Sequence, residues 1–359
     1  MKALITAGGR ATRLRPITET INKHLIPLAN KPMIFQAIEK VVEIGVKDIF
    51  INVNPGESEI QKVVGDGSRW GVKITCIEQV GGPLGLAHII KNAESYLGGD
   101  SFVFYLGDNI VLGSLRQLYN KFIGENLDAV FAFTRVRDPE RFGVPEIIDG
   151  KLVRVLEKPQ NPSVNLAQTG IYFYSPKIFE AVKNISPSAR GEYEISDANT
   201  WLIQQGAEIG WLELNGWWKD TGKPEDLLEG NQLLLLEKAA HEESKNYSAM
   251  TPEISIQGKV WIGEGTKISG KTLIRGPVII GKNCVIEDAY IGPFTSIGDG
   301  VRVRKAEIEH SIIFDQVDIN CGARIIDSIV GYNASITPAE ETLPRGHRLI
   351  IGDNTVIEL

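Results

Sequence analysis

A short apolar run, Lys2–Thr6, leads directly into Ala7-Gly8-Gly9-Arg10-Ala11-Thr12-Arg13-Leu14-Arg15-Pro16. Adjacent glycines let a backbone approach a ligand closely and turn its N–H groups toward phosphate oxygens. Arg13 and Arg15 add permanently charged, fork-shaped donors that match pyrophosphate, and Lys23 follows in Asn22-Lys23-His24. Taken alone, Arg15 reads equally well as a solvated surface charge. The spacing is neither that of a dinucleotide-binding turn nor that of a P-loop. A Gly-rich turn after a strand is as often merely structural; two arginines and a lysine close behind it tilt the reading to phosphate binding.

A second group carries negative charge. Asp108, in Leu106-Gly107-Asp108-Asn109, follows the apolar run Phe102–Leu106. A carboxylate there suits a hard cation such as Mg²⁺, which usually takes one or two protein carboxylates and shares its remaining positions with phosphate and water. Asp220, in Trp218-Lys219-Asp220-Thr221, is the candidate for the second ligand. It also lies just ahead of Pro224, so capping a helix is an open alternative for it. Lys158, in Glu157-Lys158-Pro159, either holds the phosphate of an acceptor or faces solvent before a turn.

Positioning these groups requires a scaffold. Over residues 1–135, strand-like runs (Lys2–Thr6, Asp48–Val53, Val72–Ile77, Phe102–Leu106, Ala129–Thr134) alternate with helical patterns (Lys31–Val46, Glu57–Val64, Gly85–Leu97). That alternation predicts a parallel sheet covered on both faces, with its ligand crevice beyond the carboxyl ends of the strands. From Gly143 to Trp218 the pattern is mixed: strands at Val144–Ile148, Leu152–Leu156 and Thr169–Tyr174, and a helix near Ile195–Gln205. Pro224–Ala240 reads as one amphipathic helix. The fold class expected is α/β, a Rossmann-like domain with a mixed sheet over 1–240, a linker at 241–252 and a repeat domain over 253–359.

In the last segment the period becomes six. Ile256, Ile262, Ile268, Ile274, Ile280 and Ile286 recur without a slip, and after a one-residue shift the series runs on from Ile291 to Ile336. Six fits neither a helix nor a meander; it fits a hexapeptide solenoid, the left-handed parallel β-helix. Glycines after the repeated isoleucine (Gly263, Gly281, Gly292, Gly298) read as tight corners. Flat flanks and open sheet edges favour self-association into a homo-oligomer, and the tail Leu349–Leu359 is expected to cover the last coil. Acyl transfer by such a domain would need a base, for which His310 and His347 are the histidines after the linker.

Composition limits the rest. A net charge of −7 over 359 residues, with neither half basic, argues against nucleic acid or an anionic membrane as partner. Three widely spaced cysteines make no disulfide framework or zinc site. With no signal-peptide pattern and no long apolar span, a cytoplasmic protein is expected.

Taken in order, the motifs resemble the sugar-1-phosphate nucleotidyltransferases, in particular the long-form glucose-1-phosphate thymidylyltransferases with a C-terminal hexapeptide domain. The blocks are Ala7–Leu14, Lys23–Met33, Gly65–Gly71, Pro83–His88, Leu106–Asn109, Asp138–Val144, Glu157–Pro159, Thr169–Tyr174, Ala189–Asp197 and Trp217–Gly222. The resemblance implies transfer of a nucleotidyl group from dTTP, or UTP, to glucose 1-phosphate. It implies Gly8, Gly9, Gln79, Gly85 and Asn109 at the nucleotide, with Arg13 on the β- and γ-phosphates and Lys23 near the α-phosphate. It further implies Mg²⁺ on Asp108 and Asp220, Lys158 and Arg190 on the sugar phosphate, and Gly143, Glu157 and the Thr169 segment at the sugar. The chain departs from the family pattern at Ala11 (usually Gly), His24 (Gln), Phe142 (Tyr) and Gln168 (Val), and by one extra residue between Gln79 and Gly85. Relatives that have lost catalysis and serve as regulatory or assembly subunits typically lack the Arg, Lys or Asp of these motifs, all of which are present here.

Overall fold

The computed structural model describes residues 1–9, 11–214, 216–244, 253–338 and 354–355. The chain divides into two compact units, Met1–Arg10 with Met33–Asp220 and Ala11–Pro32 with Thr221–Leu359. Strands are numbered along the chain: β1 (Lys2–Thr6), then β2 (Pro27–Leu28) and β3 (Lys31–Pro32), which belong to the second unit. The first unit continues with β4 (Asp48–Val53), β5 (Lys73–Glu78), β6 (Phe102–Leu106), β7 (Asn109–Val111) and β8 (Ala129–Arg135). It ends with β9 (Gly143–Ile148), β10 (Lys151–Glu157), β11 (Leu166–Tyr174), β12 (Ile209–Glu213) and β13 (Trp218–Asp220).

Seven strands make one sheet in the order β12-β8-β11-β6-β1-β4-β5. The run β6, β1, β4, β5 is parallel, as the strand–helix alternation requires. β11 lies between β6 and β8 in the opposite sense. The connection leading to it carries the β9–β10 hairpin instead of a crossover helix, and the sheet is therefore mixed rather than parallel throughout. Ala3, Leu4 and Ile5 are all fully buried, so β1 is covered on both faces. On one face Phe102, Phe104, Phe131, Phe133, Tyr172 and Tyr174 pack with the helices Leu86–Leu97, Ile178–Asn184 and Ile195–Gln204. The helices Met33–Glu43 and Arg116–Gly124 also contact the sheet.

In the second unit the helix Pro224–His241 starts with proline in its first turn, and the Asp226 carboxylate accepts the Lys223 backbone N–H at 3.0 Å. That turn is thus closed by Asp226, with Lys223 at the N-cap position. Beyond it, three five-stranded parallel sheets form the left-handed β-helix. The repeated aliphatic residues stack in register along each: Ile256, Ile274, Ile291, Ile308 and Ile325 on one. Ile262, Ile280, Ile297, Ile313 and Val330 stack on the next, and Ile268, Ile286, Val303, Ile319 and Ile336 on the third. The corner glycines answer to close stacking rather than to backbone dihedral. A Cβ on Gly263 would lie 2.5 Å from the Gly281 backbone, and one on Gly281 would lie 2.6 Å from that of Gly298. The tail 349–359, apart from residues 354–355, lies outside the described residues, as does His347.

Because each coil rests only on its neighbours, a cavity at a central rung is felt along the whole stack. Ile308 is fully buried, and Ile308→Ala is expected to destabilise the protein by about 2–5 kcal/mol, read from the urea midpoint.

Candidate active site

The carboxyl ends of β1, β4, β5 and β6 bring the first group together. Gly8 follows β1, and a Cβ there would meet Asn54 Oδ1 at 3.2 Å, Asn52 Oδ1 at 3.5 Å and Gln79 Oε1 at 3.7 Å. Gly9, with φ of 111°, takes a backbone conformation suited to glycine. Its N–H donates to Asn54 Oδ1 at 3.0 Å, while Asn54 Nδ2 donates back to its carbonyl at 3.3 Å. The turn therefore stands on three carboxamides. Gln79 was legible in the motifs; Asn52 and Asn54 were not, although two asparagines at the end of an apolar strand are the signal that marks them. Asn52 is fully buried, and among the described residues neither polar atom of its side chain has a hydrogen-bond partner.

Gly85 has φ of 97° and packs so tightly on Tyr193 that a Cβ would lie 2.6 Å from its carbonyl oxygen. Paired backbone bonds, Tyr193 N–H to Leu84 O at 2.7 Å and Ala87 N–H to Tyr193 O at 3.1 Å, seal that contact. The Val80–Leu84 loop passes beside His88, where a Cβ on Gly81 would lie 3.4 Å from the ring. Burial, then the charge of Lys91, holds the His88 imidazole below its ordinary pKa.

The two aspartates are brought together by a two-stranded ribbon. β7 pairs antiparallel with β13, Asp220 stands opposite Asn109, and Asp108 is the residue before it. Asn109 is 3% exposed and acts as the hub. Its Oδ1 accepts the Gly170 N–H at 3.1 Å and the Trp218 indole N–H at 2.6 Å, and its Nδ2 donates to Asp108 Oδ1 at 2.9 Å. The resemblance counts Asn109 among the nucleotide contacts; here its carboxamide is engaged within the scaffold. Buried Tyr105 donates its hydroxyl to the Asn109 carbonyl at 3.1 Å. Its pKa is pushed up, first by burial and then by the Asp108 charge. Among the described residues no three His, Cys, Asp or Glu side chains gather as a ready metal cage. A pair of half-buried carboxylates fits Mg²⁺, which needs no more than two.

The β9–β10 hairpin builds a third group. Gly143 is paired with Glu157, and the Lys158 N–H donates to the Phe142 carbonyl at 3.0 Å. A Cβ on Gly143 would meet Gln168 Oε1 at 3.1 Å and Ser196 Oγ at 3.3 Å, so glycine keeps this floor open. Lys158 takes a left-handed backbone (φ 44°), and its Nζ lies 3.3 Å from Glu157 Oε1. Arg190 donates to Glu157 at 3.2 Å and to Glu194 at 2.8 Å, and Ser196 Oγ donates to the other Glu157 oxygen. In this acidic set Asp197 is raised above the usual carboxylate range, by burial first and then by Glu194 and Glu157. Thr169 is fully buried and donates its hydroxyl to the Ala132 carbonyl at 3.0 Å, so its segment can offer backbone but not that hydroxyl. Phe142, in place of a tyrosine, packs edge-on against Trp218 at 5.3 Å.

Arg13 and Lys23 belong to the second unit. Arg13 is exposed in the short helical turn Thr12–Leu14, anchored by buried Leu14. Lys23 opens the turn Lys23–Leu25, whose start Asn22 caps by accepting the His24 N–H at 2.9 Å. His24, replacing the usual glutamine, is buried. In the solenoid, His310 Nδ1 lies 2.5 Å from Asp327 Oδ1 while its Nε2 is closed off from solvent. With Nδ1 held at Asp327 and Nε2 shut off, this histidine gives no support to acyl transfer.

A model of the nucleotidyl transferase family matches residues 2–237. Glucose-1-phosphate thymidylyltransferase of Streptomyces antibioticus is 42% identical, over 100% of this chain and 99% of its own length. The low-salt glycan biosynthesis nucleotidyltransferase Agl11 of Haloferax volcanii is 40% identical over the full length of both. A crystal structure from Bacillus anthracis, assigned to glucose-1-phosphate thymidylyltransferase and holding sucrose, matches with a TM-score of 0.61 and 37% identity. It covers 65% of this chain and 94% of that one. The chain belongs to the nucleotidyl transferase family. Among the described residues no helix is long and apolar enough to cross a membrane.

Removing the hub tests the geometry. Asn109→Ala strands the buried Gly170 and Trp218 donors, and a loss of about 1–3 kcal/mol per stranded group is expected in urea unfolding.

Proposed function

We propose that this protein transfers a nucleotidyl group from dTTP, with UTP as the alternative donor, to glucose 1-phosphate, releasing pyrophosphate. The observation that carries the reading is the β7–β13 ribbon, which sets Asp108 and Asp220 at neighbouring positions beyond the carboxyl end of β6. Support comes from the full-length similarity to named thymidylyltransferases.

Asp108 and Asp220 would hold Mg²⁺, whose charge when bound offsets that of the triphosphate. Arg13 and Lys23 bind the triphosphate, Arg13 on the departing β- and γ-phosphates and Lys23 near the α-phosphate. Gly8, Gly9, Gln79 and Gly85 meet the nucleotide. Lys158 receives the acceptor phosphate, with Arg190 assisting; Glu157, Gly143 and the backbone around Thr169 meet the sugar. An acceptor phosphate oxygen attacks the α-phosphorus in line, the new P–O bond forming as the bond to pyrophosphate breaks. That oxygen is already ionised at neutral pH, so no side chain must take a proton. What the chain contributes is placement and charge neutralisation of two anions. Catalysis is assigned to residues 1–240 and, after a linker at 241–252, assembly into a cytoplasmic homo-oligomer to the solenoid of 253–359.

A matrix of nucleoside triphosphates against sugar 1-phosphates, with pyrophosphate release as readout, tests the reading. Turnover with dTTP or UTP and glucose 1-phosphate is expected; turnover confined to GTP and mannose 1-phosphate would overturn it. Chelation of divalent ions should abolish release. Asp108→Asn and Asp220→Asn should each lower kcat by about 10²–10³, the usual loss for one transition-state charge contact. Near-normal turnover of Asp108→Asn at saturating Mg²⁺ would remove the metal assignment.

A further inference from the structure

The second unit joins the segment Ala11–Pro32 to the helix Pro224–His241 and the solenoid, and one buried side chain stands at the centre of that junction. Asn231 lies in the helix with no solvent exposure. Its Oδ1 accepts the Ala29 N–H at 2.8 Å and the Ser296 hydroxyl at 2.6 Å, and its Nδ2 donates to the Phe294 carbonyl at 2.9 Å. A carboxamide is the short side chain that offers an acceptor and a donor side by side, so all three links need this residue type. Beside it, Asn30 Nδ2 donates to the Ile297 carbonyl at 2.6 Å.

Both ends of the link are stiff. Ala29 and Asn30 form the two-residue turn of the β2–β3 hairpin, each with positive φ (47° and 58°), the type I′ arrangement that matches the strand twist. Phe294 is a corner residue of the solenoid held at φ 63°, a conformation bulky side chains rarely take, and its carbonyl is the one Asn231 receives. Ser296 and Ile297 lie on the strand Thr295–Ile297, two rungs from either end of its sheet. From Ala29 back to Lys23 the chain has little slack. His24, Leu25, Ile26 and Leu28 are buried, and Leu25 N–H to Asn22 O (2.9 Å) and Ile26 N–H to Lys23 O (3.1 Å) close the turn that carries Lys23.

We propose that the solenoid takes part in the reaction by holding the triphosphate-binding segment in place, with Asn231 as the positioning residue that ties it to Lys23. This rests on the reading of Lys23 as a triphosphate contact. The link is local and polar, and a shift of the hairpin tip is carried to Lys23 through side chains packed with no room to absorb it. A hexapeptide domain that served assembly alone would have no need to grip this hairpin.

The test uses the full-length protein and four variants: Asn231→Ala, Asn231→Asp (which keeps the acceptor and loses the donor), Ser296→Ala and Asn30→Ala. Asn231→Ala should raise KM for dTTP by about tenfold, the equivalent of one buried hydrogen-bond link. KM for glucose 1-phosphate should stay within about twofold, a change too small to reflect lost binding contacts. Asn231→Asp, Ser296→Ala and Asn30→Ala should fall between that variant and the parent. Hydrogen exchange at the Leu25 and Ile26 amides should quicken in Asn231→Ala while amides of the β1 strand keep their rates. Unchanged exchange at Leu25 and Ile26 overturns the proposal, as does an equal rise of both KM values. If the parent turns over none of the substrates the functional reading fails, and the exchange result alone then decides whether the tether exists.

Discussion

A single buried carboxamide, that of Asn109, holds the end of the sheet where the acidic pair stands. It joins β11 through Gly170, β13 through Trp218 and the Asp108 side chain through its own amide. The Gly170 and Trp218 donors are buried, so the geometry is enforced by the cost of leaving either of them unpaired. The ribbon that carries Asp220 is only three residues long on each side. Such a ribbon has little stability of its own, and the hub is what gives it a fixed register.

Around this point the first unit separates charge into two sets. Asp108 and Asp220 make one end anionic, suited to a divalent ion. The β9–β10 hairpin carries Lys158 beside Glu157, and Arg190 is divided between Glu157 and Glu194. These ion pairs are partly solvated and contribute modestly to stability. Their effect is orientation: Glu157 holds Lys158 and Arg190, and Glu194 holds Arg190 from the other side. The proposed chemistry asks for that kind of site, in which fixed charges meet two anions and no proton needs to move.

The second unit follows a different rule. Its core is a column of isoleucines repeated in register, and its rigidity comes from stacking rather than from a sheet covered by helices. Asn231 and Asn30 connect this rigid column to the hairpin that follows Lys23. The turn that carries Lys23 is thus followed by a hairpin whose tip is held against this column.

Much of this was legible in the residues themselves. The six-residue period predicts the solenoid because each rung buries one aliphatic side chain, and the strand–helix alternation predicts a parallel sheet because continuous apolar strands need cover on both faces. Asp108 and Asp220 stood out because a carboxylate at the end of a strand suits a divalent ion, with a turn or a helix cap as the structural alternative. What the sequence could not show was any relation that depends on which strands become neighbours. The reversed entry of β11, the pairing of β7 with β13 and the cluster of Asn52, Asn54 and Gln79 beneath Gly8 join residues remote along the chain. Local periodicity records which side of an element is buried and carries no record of its neighbour. Asn231 is the clearest case: along the helix Pro224–His241 it reads as an ordinary polar residue. Only the folded chain closes Ala29, Phe294 and Ser296 around it, because a buried carboxamide is stable only where its donor and acceptor are both met.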